Sequence, residues 1–159
     1  MKAPQRIEKK IQEVASLLIP LHERLLLVPN VTVAEIVPIS QVTPVEGSPE
    51  WYMGNCIWRE LTIPLLSFEA LNGDSRPGYN TRSRFAIFNT TGLNASLSFI
   101  GILTQGIPRL ARVNEEEISE REDAEIKPFE FMHVSWAGEE AVIPDVAAVE
   151  RKFLEYLHL

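Results

Sequence analysis

Cysteine is almost absent from this chain: Cys56 is the single one in 159 residues, so no internal disulfide can form. That scarcity suits a reducing compartment. Histidine is nearly as scarce, with only His22, His133 and His158. None of them stands in a His-x-x-x-His arrangement and no Cys-x-x-Cys pair occurs, so the ligand spacings of a zinc site are missing. Long apolar runs are missing too. The longest, such as LTIPLL at Leu61–Leu66, are far too short to cross a bilayer as helices. The opening MKAPQRIEKKIQEV interrupts its apolar residues with charge, so no signal peptide and no export are expected. Phosphate-cradling glycine loops do not occur, and Lys and Arg are scattered within a net charge of −7. Without a basic cluster there is no electrostatic footprint for nucleic acid.

What is present is the composition of a folded globular protein, 45% hydrophobic and 23% charged. Ile7, Ile11, Val14 and Ala15 fall at helical spacing, which predicts an amphipathic helix over residues 5–15. From Leu17 the texture becomes that of strands. LLIPL, the polar His22-Glu23-Arg24 and LLLV read as a hairpin ended by Pro29-Asn30. Trp51–Trp58, a turn at Arg59-Glu60 and Leu61–Leu66 read as a second hairpin. Ser67 then opens a short helix, FEAL, closed by Asn72-Gly73. The Gly, Pro, Ser and Asn of residues 73–83 mark a seam near mid-chain.

Beyond the seam the order of events repeats. Strands are expected at Arg84–Phe88, Ser96–Ile102 and Phe131–Trp136, and Leu103–Pro108 parallels Val33–Pro38. The acidic run from Glu115 to Glu125 reads as a solvated loop. A C-terminal helix begins at Pro144-Asp145. Trp58 and Trp136 are 78 positions apart, as are Ser67 and Asp145, and Leu71 and Val149. A shared offset of half the chain predicts an internal duplication: a mainly β protein of two similar five-stranded barrels, about 17–72 and 84–157, sharing a joint core.

The search for chemistry yields no catalytic set. Cys56 and His133 fall in equivalent hairpins, the one pairing that could make a nucleophile and base. A strand cysteine is more often core filler. The carboxylates concentrate in the acidic run, with no sign of a desolvated pocket.

Val33-Ala-Glu-Ile36, Gly54-Asn-Cys-Ile-Trp-Arg59 and Ile63-Pro-Leu-Leu-Ser-Phe68 stand in an order and spacing that resembles the CheW-like domain, the coupling module of bacterial chemosensory arrays. SLLIPL, WRE and PLLSFEAL look most like the ChpC-type form of pilus (twitching) systems. The resemblance runs from about Leu17 to Leu154 and implies two intertwined five-stranded barrels. It implies a cytoplasmic, non-catalytic adaptor, without a cofactor, in or beside membrane-associated arrays. Its partners would be the helical tip of a methyl-accepting chemoreceptor and a CheA-type histidine kinase. By the same resemblance Val33 lines the receptor groove, Glu35 and Arg59 form a charge pair on that surface, and Gly54 permits a close strand approach. Val33 is equally consistent with a core position, Glu35 and Arg59 with a surface pair worth under about 1 kcal/mol, and Gly54 with a bulge. The family's turn glycine is Glu60 here. Glutamate reaches positive φ at a cost, so this hairpin is expected to turn differently. The competing class is a small-molecule sensor using the cleft between barrels, which needs inward polar groups where these strands offer Leu, Ile, Val and Phe.

Overall fold

The computed structural model describes residues 13–159. In the first half run β1 (Glu13–Leu21), β2 (Arg24–Pro29), β3 (Val33–Val37), β4 (Tyr52–Trp58), β5 (Leu61–Leu66) and helix α1 (Phe68–Leu71). In the second run β6 (Phe85–Asn89), β7 (Phe99–Leu103), β8 (Arg109–Asn114), β9 (Ile118–Glu120), β10 (Glu130–Trp136), β11 (Glu139–Pro144) and helix α2 (Val146–Tyr156). Apolar and β-branched residues fill the strands, and each helix is started by an oxygen acceptor. The Ser67 side chain takes the Ala70 amide at 3.2 Å, and Asp145 takes that of Ala148 at 3.0 Å.

The strands form two sheets. Sheet I runs β8-β1-β2-β11-β10-β9 and sheet II runs β3-β6-β7-β5-β4. Exchanging β1 with β6, β2 with β7, β3 with β8, β4 with β10 and β5 with β11 converts one order into the other, with β9 left over. The pairing senses agree as well. β2 meets β11 in parallel in sheet I as β7 meets β5 in sheet II, and the other matched neighbours are antiparallel. Each sheet therefore takes strands from both halves of the chain, so the halves are intertwined. Trp58 and Trp136 each end the first strand of the corresponding hairpin, paired with Leu61 and Glu139 across the turn.

Alternation along the strands divides the core in three. Leu18, Leu27, Ala111, Val113, Val134 and Ala141 fill the inside of sheet I. Cys56, Trp58, Ile63, Leu65, Phe85 and Ile87 fill that of sheet II. The neighbouring positions point the other way, so Ile19, Leu26, Leu66, Phe68, Ala86 and Phe153 make a joint core between the sheets. Two buried glutamates lock this arrangement. Glu69 of α1 accepts the His22 amide in the β1–β2 turn at 3.1 Å, and Glu150 of α2 accepts the Thr91 amide in the β6–β7 loop. Each helix thus grips the hairpin loop of the sheet it does not follow.

Four sequence expectations are corrected. Glu13, Val14 and Ala15 begin β1 rather than end a helix, because they pair with Asn114, Val113 and Arg112 of β8; the rest of the expected helix lies outside the described residues. The counterpart of β3 is Arg109–Asn114, since Leu103–Pro108 is the end of β7 and a loop. Ile118–Glu120 of the acidic run is not loop but β9, added to the edge of β10 through Val134, Ser135 and Trp136. The Arg59-Glu60 turn does not differ in kind from its mate: both residues take positive φ, 49° and 65°, as Ala137 and Gly138 do at 48° and 78°. Two residues at positive φ are the signature of a type I′ hairpin turn, whose twist matches that of the strands. Sheet geometry overrides the side-chain preference.

Candidate partner-binding surface

Val33 opens β3, half-buried, opposite Phe88 of β6 and packed against the joint core. A register shift between Val33 and Glu35 re-aims the strand, and Glu35 reaches across the open side of sheet II to the β4–β5 turn. There the Arg59 guanidinium donates to Glu35 Oε2 at 2.9 Å. The side chains are 67% and 38% exposed, so the pair contributes on the order of 0–1 kcal/mol and serves geometry more than stability. Arg59 also lies over the Trp58 ring, 4.7 Å from its centroid. Glu60 sits exposed at the tip beside it.

Gly54 answers a steric demand. Its φ is +136°, and a Cβ there would stand 2.4 Å from the Thr43 carbonyl oxygen. That space is taken by the connection between β3 and β4, whose Thr43 exchanges two backbone hydrogen bonds with Asn55, at 2.8 and 2.9 Å. The glycine lets this connection close over sheet II next to the turn that carries Arg59. The structure thus joins Glu35 and Arg59, with Glu60 beside Arg59 and Gly54 beneath the closing connection, while Val33 stands two residues before Glu35 on β3 and packs against the joint core.

Three exposed apolar residues, Val31 and Ile57 on this side and Leu110 on β8 of sheet I, were not legible as surface. Val31 is 84% exposed, Ile57 65% and Leu110 77%. Leu110 helps line a groove of about 290 Å³ with Glu13, Asn30 and Arg112, on the turn that leads into Val33. Asn30 Oδ1 is buried there without a hydrogen-bond partner. An apolar residue on a strand looks like core in sequence whichever face it occupies, so period alone could not find Ile57 or Leu110, and Val31 lies in the single turn of 3-10 helix between β2 and β3.

Cys56 and His133 do not meet as partners. Cys56 is buried inside sheet II, where burial pushes its thiol up, away from reactive thiolate. His133 lies in sheet I with Nε2 2.8 Å from Glu130 Oε1. Glu130 also takes the Lys127 amide at 2.9 Å and the Arg24 guanidinium. Burial pushes the Glu130 carboxyl up, but the Lys127 amide, His133 and Arg24 together hold it below the ordinary carboxylate range. Among the described residues no group of three or more His, Cys, Asp or Glu is placed to hold a metal ion, and no helix is long and apolar enough to cross a membrane.

Two comparisons bear on this arrangement. The family model described as the CheW-like domain matches residues 15–152. The chain belongs to the CheW-like domain family. The CheW-like fold is also that of a solved structure, the scaffolding protein TtCheW from Thermoanaerobacter tengcongensis. The two share 18% identity over 84% of this chain and 89% of the other, with a TM-score of 0.71. Comparison with curated proteins gave no match. Between the sheets of this CheW-like chain the cavity beside Leu26, Phe68, Phe88 and Val149 measures only about 20 Å³. Its lining is wholly apolar, whereas sites for small ligands span roughly 300–1,000 Å³ with convergent polar groups.

Proposed function

We propose that this CheW-like chain is a non-catalytic adaptor that couples the cytoplasmic tip of a chemoreceptor to a CheA-type histidine kinase. Its setting, on the resemblance of SLLIPL, WRE and PLLSFEAL, is a ChpC-type role in twitching motility. The family match over residues 15–152 carries the reading, supported by the Glu35–Arg59 pair on β3 and the β4–β5 turn, with Val33 on the same strand. A receptor helix would lay apolar anchors against Val33, with the Glu35–Arg59 pair setting register and on-rate. The cavity between the sheets, about 20 Å³ and lined by apolar side chains, does not favour a sensor that would bind its ligand there.

Titration of a receptor-tip helical hairpin against the folded chain tests the proposal. Val33→Asp should weaken binding at least tenfold, because a carboxylate would be desolvated where two methyl groups packed. Arg59→Glu should weaken it less, through repulsion from Glu35 and Glu60, and more at low salt than at high. If both variants bind as the unaltered chain does, with intact circular dichroism, docking at this surface is wrong.

A further inference from the structure

The intertwined duplication gives each sheet an open side, and each open side is bridged by one ion pair. In sheet II, Glu35 of the outermost strand β3 accepts from Arg59 of the β4–β5 turn. In sheet I, Arg109 of the outermost strand β8 donates to Glu139, which opens β11 just past the corresponding turn. Strand β8 is the counterpart of β3, and the β10–β11 hairpin is the counterpart of β4–β5. The pairs therefore join corresponding elements, with Glu139 two places past Ala137, the mate of Arg59, and they do so with opposite polarity: acid on the strand and base on the hairpin in sheet II, base on the strand and acid on the hairpin in sheet I.

Both pairs are largely in water. Side-chain exposure is 67% for Arg59 and 38% for Glu35, 53% for Arg109 and 35% for Glu139. Pairs this exposed stabilise a fold little in either polarity. Their orientation matters far more to a charged partner, because like charges brought together at an interface are costly. A molecule with two similar ends otherwise risks offering a partner two similar sites. Sheet I also carries an exposed apolar residue next to its pair, Leu110, so apolar character alone does not tell the ends apart.

We propose that the polarity of these ion pairs makes the two ends inequivalent, and that Arg109 and Glu139 are specificity determinants that refuse at sheet I the partner that reads Glu35 and Arg59 at sheet II. The inference rests on the docking surface proposed above. A helix presenting a base to Glu35 and an acid to Arg59 would present the same charges to Arg109 and Glu139, and both contacts would be repulsive.

The test uses the full chain with two double reversals, Glu35→Arg with Arg59→Glu, and Arg109→Glu with Glu139→Arg. Each reversal keeps an ion pair, so each should melt within about 3 °C of the unaltered chain. A receptor-tip helical hairpin is titrated against all three at two salt concentrations. The reversal in sheet II should lose at least tenfold in affinity. The reversal in sheet I should raise the number of hairpins bound per chain from one towards two, with the added site weakened by salt. Unchanged affinity in the first, or an unchanged number bound in the second, overturns the inference. If the unaltered chain binds no hairpin, the docking surface itself is overturned.

Discussion

Sheets I and II have the same strand order and the same pairing senses, yet they are finished differently. Sheet I extends past β10 with the short strand β9. Sheet II ends at β4 and is covered instead by a single bridge from Thr43 to Asn55. The hairpin tips differ too: Ala137-Gly138 in sheet I, Arg59-Glu60 in sheet II. An edge covered by only one bridge and a charged tip at positive φ are costly to keep. Both lie on the sheet that also carries Val33 and Glu35. Two frames of equal strand order are thus finished by an added strand in sheet I and by a single bridge in sheet II.

The largest difference between the frames should appear at two glycines. Gly54→Ala should cost about 3 kcal/mol or more, since the new Cβ would press on the Thr43 backbone and the φ of +136° is unfavourable to any L side chain. Gly138→Ala has nothing within 4 Å to clash with and only a φ of +78° to bear, so about 1 kcal/mol is expected. Urea unfolding of both variants decides the matter. Equal losses would mean that the connection does not need the room Gly54 leaves.

The next contrast lies between two buried glutamates. Glu130 is held low in the fold, so where only the unfolded chain binds its proton, stability rises with pH. Its contribution is complete above the ordinary carboxylate range and is lost as pH falls through the lowered value. Glu69 is the reverse: burial pushes its carboxyl up, outweighing the His22 amide that holds it down. Stability therefore falls as pH rises from the ordinary carboxylate range through the raised value. Glu130→Ala should cost about 2–4 kcal/mol at pH 7, because Arg24 loses a buried partner, and less at pH 3. Glu69→Gln keeps an acceptor for the His22 amide without the charge, so it should be neutral or stabilising by up to about 1 kcal/mol at pH 7 and give no gain at pH 4. Thermal melts across pH 3–8 would show the two slopes, and parallel profiles for the variants would remove the distinction.

Much of the frame was legible because duplication leaves a countable trace. The spacing of Trp58 and Trp136, and of Ser67 and Asp145, is a property of sequence alone. What could not be read was which strand lies beside which. The β1 start at Glu13 looked helical because Ile7, Ile11 and Val14 happen to fall at helical spacing in the sequence, and only the pairing with β8 makes Glu13, Val14 and Ala15 a strand. β9 was hidden in an acidic run because a strand added to an edge needs backbone partners more than apolar side chains. Glu35 and Arg59 were nameable by resemblance, but the Arg109–Glu139 pair that joins the corresponding strand and hairpin of sheet I required the sheet order. Glu69 and Glu130 gave no signal, since nothing in a local pattern distinguishes a buried carboxylate from a solvated one.

The smallest expected effect separates stability from contact at the hairpin tips. Glu60 holds φ at +65° where its mate is Gly138 at +78°. A left-handed conformation costs a residue with a Cβ roughly 1 kcal/mol relative to glycine, and glycine is favoured at the second central position of a type I′ turn. Glu60→Gly should therefore stabilise the chain by up to about 1 kcal/mol, reduced somewhat by the greater freedom of glycine when unfolded. The turn residues make no buried contact that this change would remove, since Arg59 keeps its place over Trp58 and its bond to Glu35. If a partner reads the charge of the tip, the same variant should bind it more weakly despite the firmer fold. Chemical denaturation gives the first quantity and hairpin or kinase titration the second. A variant that is both less stable and fully able to bind would show that Glu60 serves the turn and not a partner.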